Sequence, residues 1–217
     1  MIPAPVQWLS SRAAKVATIT GAGLLAGCWL AGAAVSRLGG VPGIPLDSAA
    51  RSVLESLQSV GPIDAVSQVL AVIGQQPVSI VVAVALGVAI VVRWGLAPGL
   101  AFGLASVASA VHVIAMKTVV QRPGPVLAFF EGLGSFPSGH TANAAVIATF
   151  GGFLVRRRWA RVAGAVYVAL VAVSRVVIGA HWFTDTVVGA AEGAGMALLV
   201  LGIWSAIRLR RSEGIRA

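Results

Sequence analysis

Charge is what this chain has least of. Only 11% of its 217 residues are Asp, Glu, Lys or Arg, against about 25% in a soluble domain. Acids are scarcer than bases, 7 against 16, for a net charge of +9. Cysteine occurs once, as Cys28 inside an apolar run. That excludes an intramolecular disulfide and says nothing firm about compartment. What fills the space is apolar: 58% of residues are hydrophobic and the mean hydropathy is +0.92. This is a membrane composition, and it overrides the soluble-domain reading that length alone would allow.

The apolar residues gather into runs at Val16–Ser36, Ala65–Val92, Trp94–Met116, Gly132–Val155, Val162–Ser174 and Thr186–Ile207. Roughly 20 such residues span a bilayer as a helix. The short fifth run extends to Trp159–Val177 if Arg161 snorkels to the interface. The expectation is therefore an all-α, polytopic membrane protein, a bundle of six transmembrane helices forming one domain over 1–217. Gly23/Gly27 and Gly189/Gly193 have the small-xxx-small spacing of close helix packing in lipid. Arg12 and Lys15 before the first run, with Ala31-Gly32-Ala33 in it, leave a signal peptide as an alternative there. The run exceeds the roughly 7–15-residue core of such signals.

The basic residues flank the spans and form no single stripe, which argues against nucleic acid and for membrane topology. With six spans, eleven fall on one side: Arg12, Lys15, Arg93, Arg156, Arg157, Arg158, Arg161, Arg208, Arg210, Arg211 and Arg216. Five fall on the other: Arg37, Arg51, Lys117, Arg122 and Arg175. The richer side is expected to be cytoplasmic, with both termini inside. In the first outward loop, Asp47–Val60 carries apolar residues at helical spacing, with Asp47 or Ser48 to cap its start and Gly61 its end. It reads as an interfacial amphipathic helix, for packing or for guiding a lipid.

Three outward stretches carry chemistry. Lys117 and Arg122 sit around the end of the third span, before Pro123-Gly124-Pro125 turns the chain. Basic residues placed there work against the topology signal and fit an anion. Pro137-Ser138-Gly139-His140 precedes the fourth span. Pro137 disfavours helix before it, Ser138 is a natural N-cap, and a helix start offers free N–H groups to an anion. Ser174-Arg175 is followed by His181 and Asp185, four residues apart and on one face if helical. A carboxylate on one imidazole nitrogen fixes the tautomer and raises the basicity of the other. A histidine so oriented can itself be the nucleophile; a structural His–Asp pair capping the sixth span is the plainer alternative.

In this order and on one side of the membrane, the three stretches resemble the signature motifs of the type-2 phosphatidic acid phosphatase family, which also includes vanadium haloperoxidases and glucose-6-phosphatase. The resemblance covers 117–185, and the second and third motifs match in full. The first departs. The family has Lys, six residues, then Arg-Pro; here those six lead to Gly124-Pro125, and Arg122-Pro123 comes two residues early. Arg122 is expected to replace the displaced arginine.

The resemblance implies a mechanism. His181 attacks phosphorus, Asp185 orients it, and His140 protonates the leaving oxygen and then activates water. Lys117, Arg122, Arg175, Ser138 and the Gly139 N–H hold the phosphoryl oxygens. No metal and no cofactor are implied. The expected substrate is a lipid phosphate met at the outer leaflet of the cell membrane. By analogy it is a polyprenyl diphosphate, with phosphatidate, phosphatidylglycerophosphate or a prenyl-linked sugar phosphate as alternatives. A non-enzyme alternative is a lipid-binding or transport protein with a relic site, for which Gly124 is the support. A metal site from His112, His140, His181 and Asp185 is the rival chemistry, but it lacks the paired spacing of zinc motifs. His112 reads as a hydrogen-bonded interior histidine. Glu192, seven residues after Asp185, is an intramembrane acid without an assigned partner. Trp182 and Phe183 are expected to anchor at the interface.

Overall fold

The computed structural model describes 6–38, 44–126 and 133–214. Arg216, counted above for topology, lies outside these residues. Among them there are helices and no strands: α1 (Ser11–Arg37), α2 (Pro45–Ser56), α3 (Gly61–Gly74), α4 (Val78–Trp94), α5 (Leu96–Val120), α6 (Gly139–Val155), α7 (Arg158–Val177) and α8 (Phe183–Gly214). Helices α1, α5, α7 and α8 are long and apolar enough to cross a membrane. A fifth crossing arises if α2 and α3, bent by 108° at their junction, count as one span. Helices α4 and α6 have 17 residues each, about 25 Å of helix and the lower limit for a span.

The run Ala65–Val92 is not one helix. It breaks at Gln75–Pro77 between α3 and α4, because Pro77 lacks an N–H and biases the residue before it away from helix. Helix α3 therefore joins α2 in the connection that follows α1. Gly61 does not end a helix; it opens α3, with Pro62 in its first turn. Helix α2 starts two residues before Asp47, and no side chain caps it. Gly95, at φ 96°, makes a one-residue turn between α4 and α5 that a residue with a Cβ adopts only under strain.

Helix α8 is the hub, packing on α1, α2, α5, α6 and α7. The Leu9 N–H donates to Ser205 Oγ at 3.4 Å, so the start of α1 and the far part of α8 share one end. At mid-bundle Phe102 and Phe150 meet edge to face at 5.5 Å, inside a core with Val146, Ala197 and Leu201. A polar cluster ties α1, α5 and α8 together. Ser109 Oγ donates to Glu192 Oε2 at 2.7 Å, and His112 Nδ1 lies 3.1 Å from Glu192 Oε1. Trp29 Nε1 donates to His112 Nε2 at 3.0 Å. An indole nitrogen only donates, so Nε2 accepts and Nδ1 carries the proton toward Glu192. His112 is thus a hydrogen-bonded histidine within the bundle, and among the described residues no three His, Cys, Asp or Glu side chains are grouped to hold a metal ion.

Of the two expected glycine pairs, one sits at an interface. A Cβ on Gly189 or Gly193 would strike the backbone of Ser138 or Ala142, whereas Gly23 and Gly27 have nothing within 4 Å. Helix α8 approaches α6 closely through Gly193. Gly193→Ala is expected to cost about 1–3 kcal/mol by overpacking and to lower the thermal midpoint in detergent, while Gly23→Ala leaves it in place. Equal midpoints for the two variants would contradict this packing.

Candidate active site

At the bundle end opposite the start of α1, the ends of six helices converge. Helix α5 contributes Lys117, which lies on its last turn and not beyond it, since the helix runs on to Val120 and stops at Gln121 with φ 46°. Lys117 Nζ donates to the carbonyls of Gly134 (2.7 Å) and Ser135 (3.2 Å). Those contacts draw the segment before α6 across the end of α5. The Ser135 N–H ties it to the Arg122 carbonyl at 2.7 Å.

Ser138 occupies the N-cap position of α6 with extended backbone, yet its side chain caps no N–H there. Its hydroxyl accepts from Thr141 Oγ1 at 3.2 Å, and its N–H donates to the Asp185 carbonyl at 2.9 Å. The helix start thus keeps its positive end uncapped by a side chain, as an anion site requires. His140, in the first turn, has Nε2 at 3.1 Å from the carbonyl of Ala71 at the end of α3. A carbonyl only accepts, so Nε2 carries the proton. Arg175, near the end of α7 and 2% exposed, donates from Nη2 to the Ser67 carbonyl of α3 at 3.0 Å and from Nε to Ser174 Oγ at 3.2 Å.

His181 and Asp185 come together, but not on a helix face. Helix α8 begins at Phe183, so the pair forms across its first turn. Asp185 Oδ2 accepts from the Trp182 N–H at 3.1 Å, in the manner of an acid in the first turn reaching back to the residue before the helix. The same oxygen lies 3.6 Å from His181 Nδ1. Burial pushes the His181 imidazole below its ordinary range; the Asp185 carboxylate opposes that shift, and the charges of Lys117 and Arg175 reinforce it. The net shift favours the neutral ring. His140 lies within electrostatic reach of His181, Arg175 and Lys117, so these four groups are neighbours at this end of the bundle.

Arg122 is placed differently from its expected role. Its Nη1 donates to Asp185 Oδ1 at 2.6 Å and to Thr184 Oγ1 at 2.8 Å, and its Nη2 donates to Asp47 Oδ2 at 2.6 Å. The guanidinium is 2% exposed and lies against two carboxylates, where a phosphate-binding arginine would face the pocket. Asp47, offered by the sequence only as a helix cap, is the residue that reading missed. So were the α3 carbonyls of Ser67 and Ala71, which no side-chain pattern announces. Trp182 does not anchor at an interface: it is 5% exposed, and its Nε1 donates to the Pro123 carbonyl at 2.9 Å.

A groove of about 1050 Å³ runs along the bundle between α1, α6, α7 and α8, from Leu9 and Arg161 at the opposite end to Phe183 and Thr186 near the start of α8; Lys117, His140, Arg175, His181 and Asp185 do not line it. Its walls are mostly Ala, Val and Leu, such as Ala148, Ala169, Ala190 and Leu198.

Comparison with known proteins follows the same lines. No curated protein gives a significant match. Among solved structures, the chain is similar to a transmembrane PAP2 type phosphatidylglycerolphosphate phosphatase from Bacillus subtilis, with a TM-score of 0.68 and 22% identity over 85% of this chain and 95% of that one. At that identity the likeness is one of fold. The PAP2 superfamily model matches residues 77–208, a span that holds every one of the three motifs. A multi-pass helical chain with that match belongs to the PAP2 superfamily.

Proposed function

We propose that this protein is an integral membrane lipid phosphate phosphatase that works through a phosphohistidine on His181. The observation that carries the reading is the convergence of charge around one ring: the His181 imidazole, with the Asp185 carboxylate on its Nδ1 side, within electrostatic reach of His140, Lys117 and Arg175. Nε2 of His181 forms a bond to phosphorus as the bond to the leaving oxygen breaks. His140, entering as the imidazolium, gives that oxygen its Nε2 proton, the leaving oxygen taking the place of the Ala71 carbonyl. His140 then accepts a proton from water, whose oxygen displaces His181 and releases phosphate. Lys117, Arg175, Ser138 and the Gly139 N–H at the start of α6 hold the phosphoryl oxygens. Arg122 supports Asp185.

The apolar groove, which reaches the start of α8 at Phe183 and Thr186, favours a substrate with a long tail. We assign a polyprenyl diphosphate as substrate, six spans with both termini cytoplasmic, and a site at the outer leaflet of the plasma membrane. The charge asymmetry of the loops supports that orientation. Phosphatidylglycerophosphate is the second reading, since the Bacillus subtilis protein of like fold is named for it.

Purified protein in detergent, given dioleoyl phosphatidic acid or a polyprenyl diphosphate with EDTA present, is expected to release phosphate. His181→Ala is expected to abolish release. Turnover by that variant at the wild-type rate would remove the nucleophile from the proposal, and loss of wild-type turnover in EDTA would favour a metal.

The acid limb of the kcat profile that belongs to His181 is expected below the ordinary imidazole range, because protonation silences the nucleophile. Asp185 raises that pKa, so Asp185→Asn moves the limb to still lower pH. It also slows kcat by up to about 10⁴-fold, the cost of losing the orienting acid in a triad. A limb that moves upward instead would contradict the pairing.

Ala169→Phe narrows the groove. It is expected to raise KM for a long-chain lipid phosphate about tenfold, the scale of a pocket methylene or two, and to leave a short-chain phosphate ester unaffected. Equal effects on both substrates would detach the groove from tail binding.

A further inference from the structure

We propose that Asp47 of α2 is a positioning residue for the reaction, acting through Arg122 on the Asp185 carboxylate that orients His181. The inference rests on the phosphohistidine reading above. Asp47 is 2% exposed, although it comes from a short helix whose neighbours Leu46 and Val53 are 56% and 64% exposed. A carboxylate buried in that setting costs several kcal/mol unless it is paired, and its pairing is complete. Oδ2 accepts from Arg122 Nη2 at 2.6 Å and from Thr184 Oγ1 at 2.8 Å, and Oδ1 accepts from the Thr184 N–H at 2.8 Å.

Because the guanidinium is planar and rigid, holding one of its ends fixes the other. The second end meets Asp185 Oδ1 at 2.6 Å. Thr184 closes the figure by accepting from Arg122 Nη1 at 2.8 Å. Asp185 is thereby located from one side by Arg122 and from the other by the Trp182 N–H at 3.1 Å. That leaves its second oxygen turned to His181 Nδ1. The charges matter as well as the geometry. Two carboxylates share one guanidinium, so a net negative charge remains behind His181 to stabilise the positive charge that develops on its ring as phosphorus is attacked. With Asp47 neutral, the Arg122 charge falls on Asp185 alone and that stabilisation weakens.

If Asp47 served only to cap α8 through Thr184, its loss would lower the amount of folded protein and leave the turnover of each folded molecule unchanged. The test therefore separates turnover from stability. Asp47→Asn, Arg122→Lys, Asp185→Asn and the double variant Asp47→Asn/Asp185→Asn are purified in detergent and assayed on dioleoyl phosphatidic acid, with thermal midpoints measured alongside. Asp47→Asn is expected to lower kcat about 10- to 100-fold, the usual effect of losing a partner that orients a functional side chain. KM should stay within about twofold, because Asp47 does not touch the substrate. Added to Asp185→Asn, it should lower kcat little further, since both act through one carboxylate.

Wild-type kcat in folded Asp47→Asn, or the same fold-loss in both backgrounds, would overturn the inference. If Asp47→Asn does not fold, Arg122→Lys decides: it keeps the charge but cannot hold both carboxylates with one planar fork, and wild-type kcat in that variant would overturn the inference equally. Full activity in His181→Ala strikes the underlying reading, whereas an inactive His181→Ala beside a fully active Asp47→Asn strikes this inference alone.

Discussion

A guanidinium between two carboxylates, all but sealed from solvent, is the interaction on which the rest of this structure depends. Arg122 lies 2.6 Å from an oxygen of Asp47 and from one of Asp185. Removing any member strands a buried charge, which is far more costly than the pair is favourable. The cluster joins three separate parts of the chain: the helix after α1, the turn after α5 and the first turn of α8. A scaffold of apolar helices in lipid has little hydrophobic force to fix such ends against each other. Directional, charge-assisted hydrogen bonds do so here.

The same economy of donors runs through the pocket. Lys117, His140 and Arg175 all rest on backbone carbonyls, those of Gly134 and Ser135, Ala71 and Ser67. These are oxygens of partial charge; under the proposed mechanism a phosphate, with fuller charge on its oxygens, would displace them.

The helices and the three motifs were legible because hydrophobic run length and motif spacing are local properties. Residues 158–177 were bounded to within a residue, since arginine marks one end and the site the other. What was not legible depended on contacts distant in sequence. The break at Gln75–Pro77 hid in a run whose mean hydropathy stayed high on both sides. Arg122 looked like a phosphate ligand because its neighbours in sequence suggested a motif; its partner Asp47 lies 75 residues away. The Gly23/Gly27 spacing was real and faces no neighbour, because spacing reports a helix face without saying what lies opposite.

The triad of Trp29, His112 and Glu192 has a consequence for how α1 is seated. Successive residues on a helix are turned by about 100°, so slipping α1 by one position would swing the indole nitrogen away from His112. A ring acceptor and the carboxylate behind it would then be exposed to hydrocarbon, where no water can substitute for the lost donor. Gly21 and Gly202 already bring the backbones of α1 and α8 too close for a Cβ at either position. The cluster works as a keyway beside that close fit, adding a directional check on the rotational setting of the first helix.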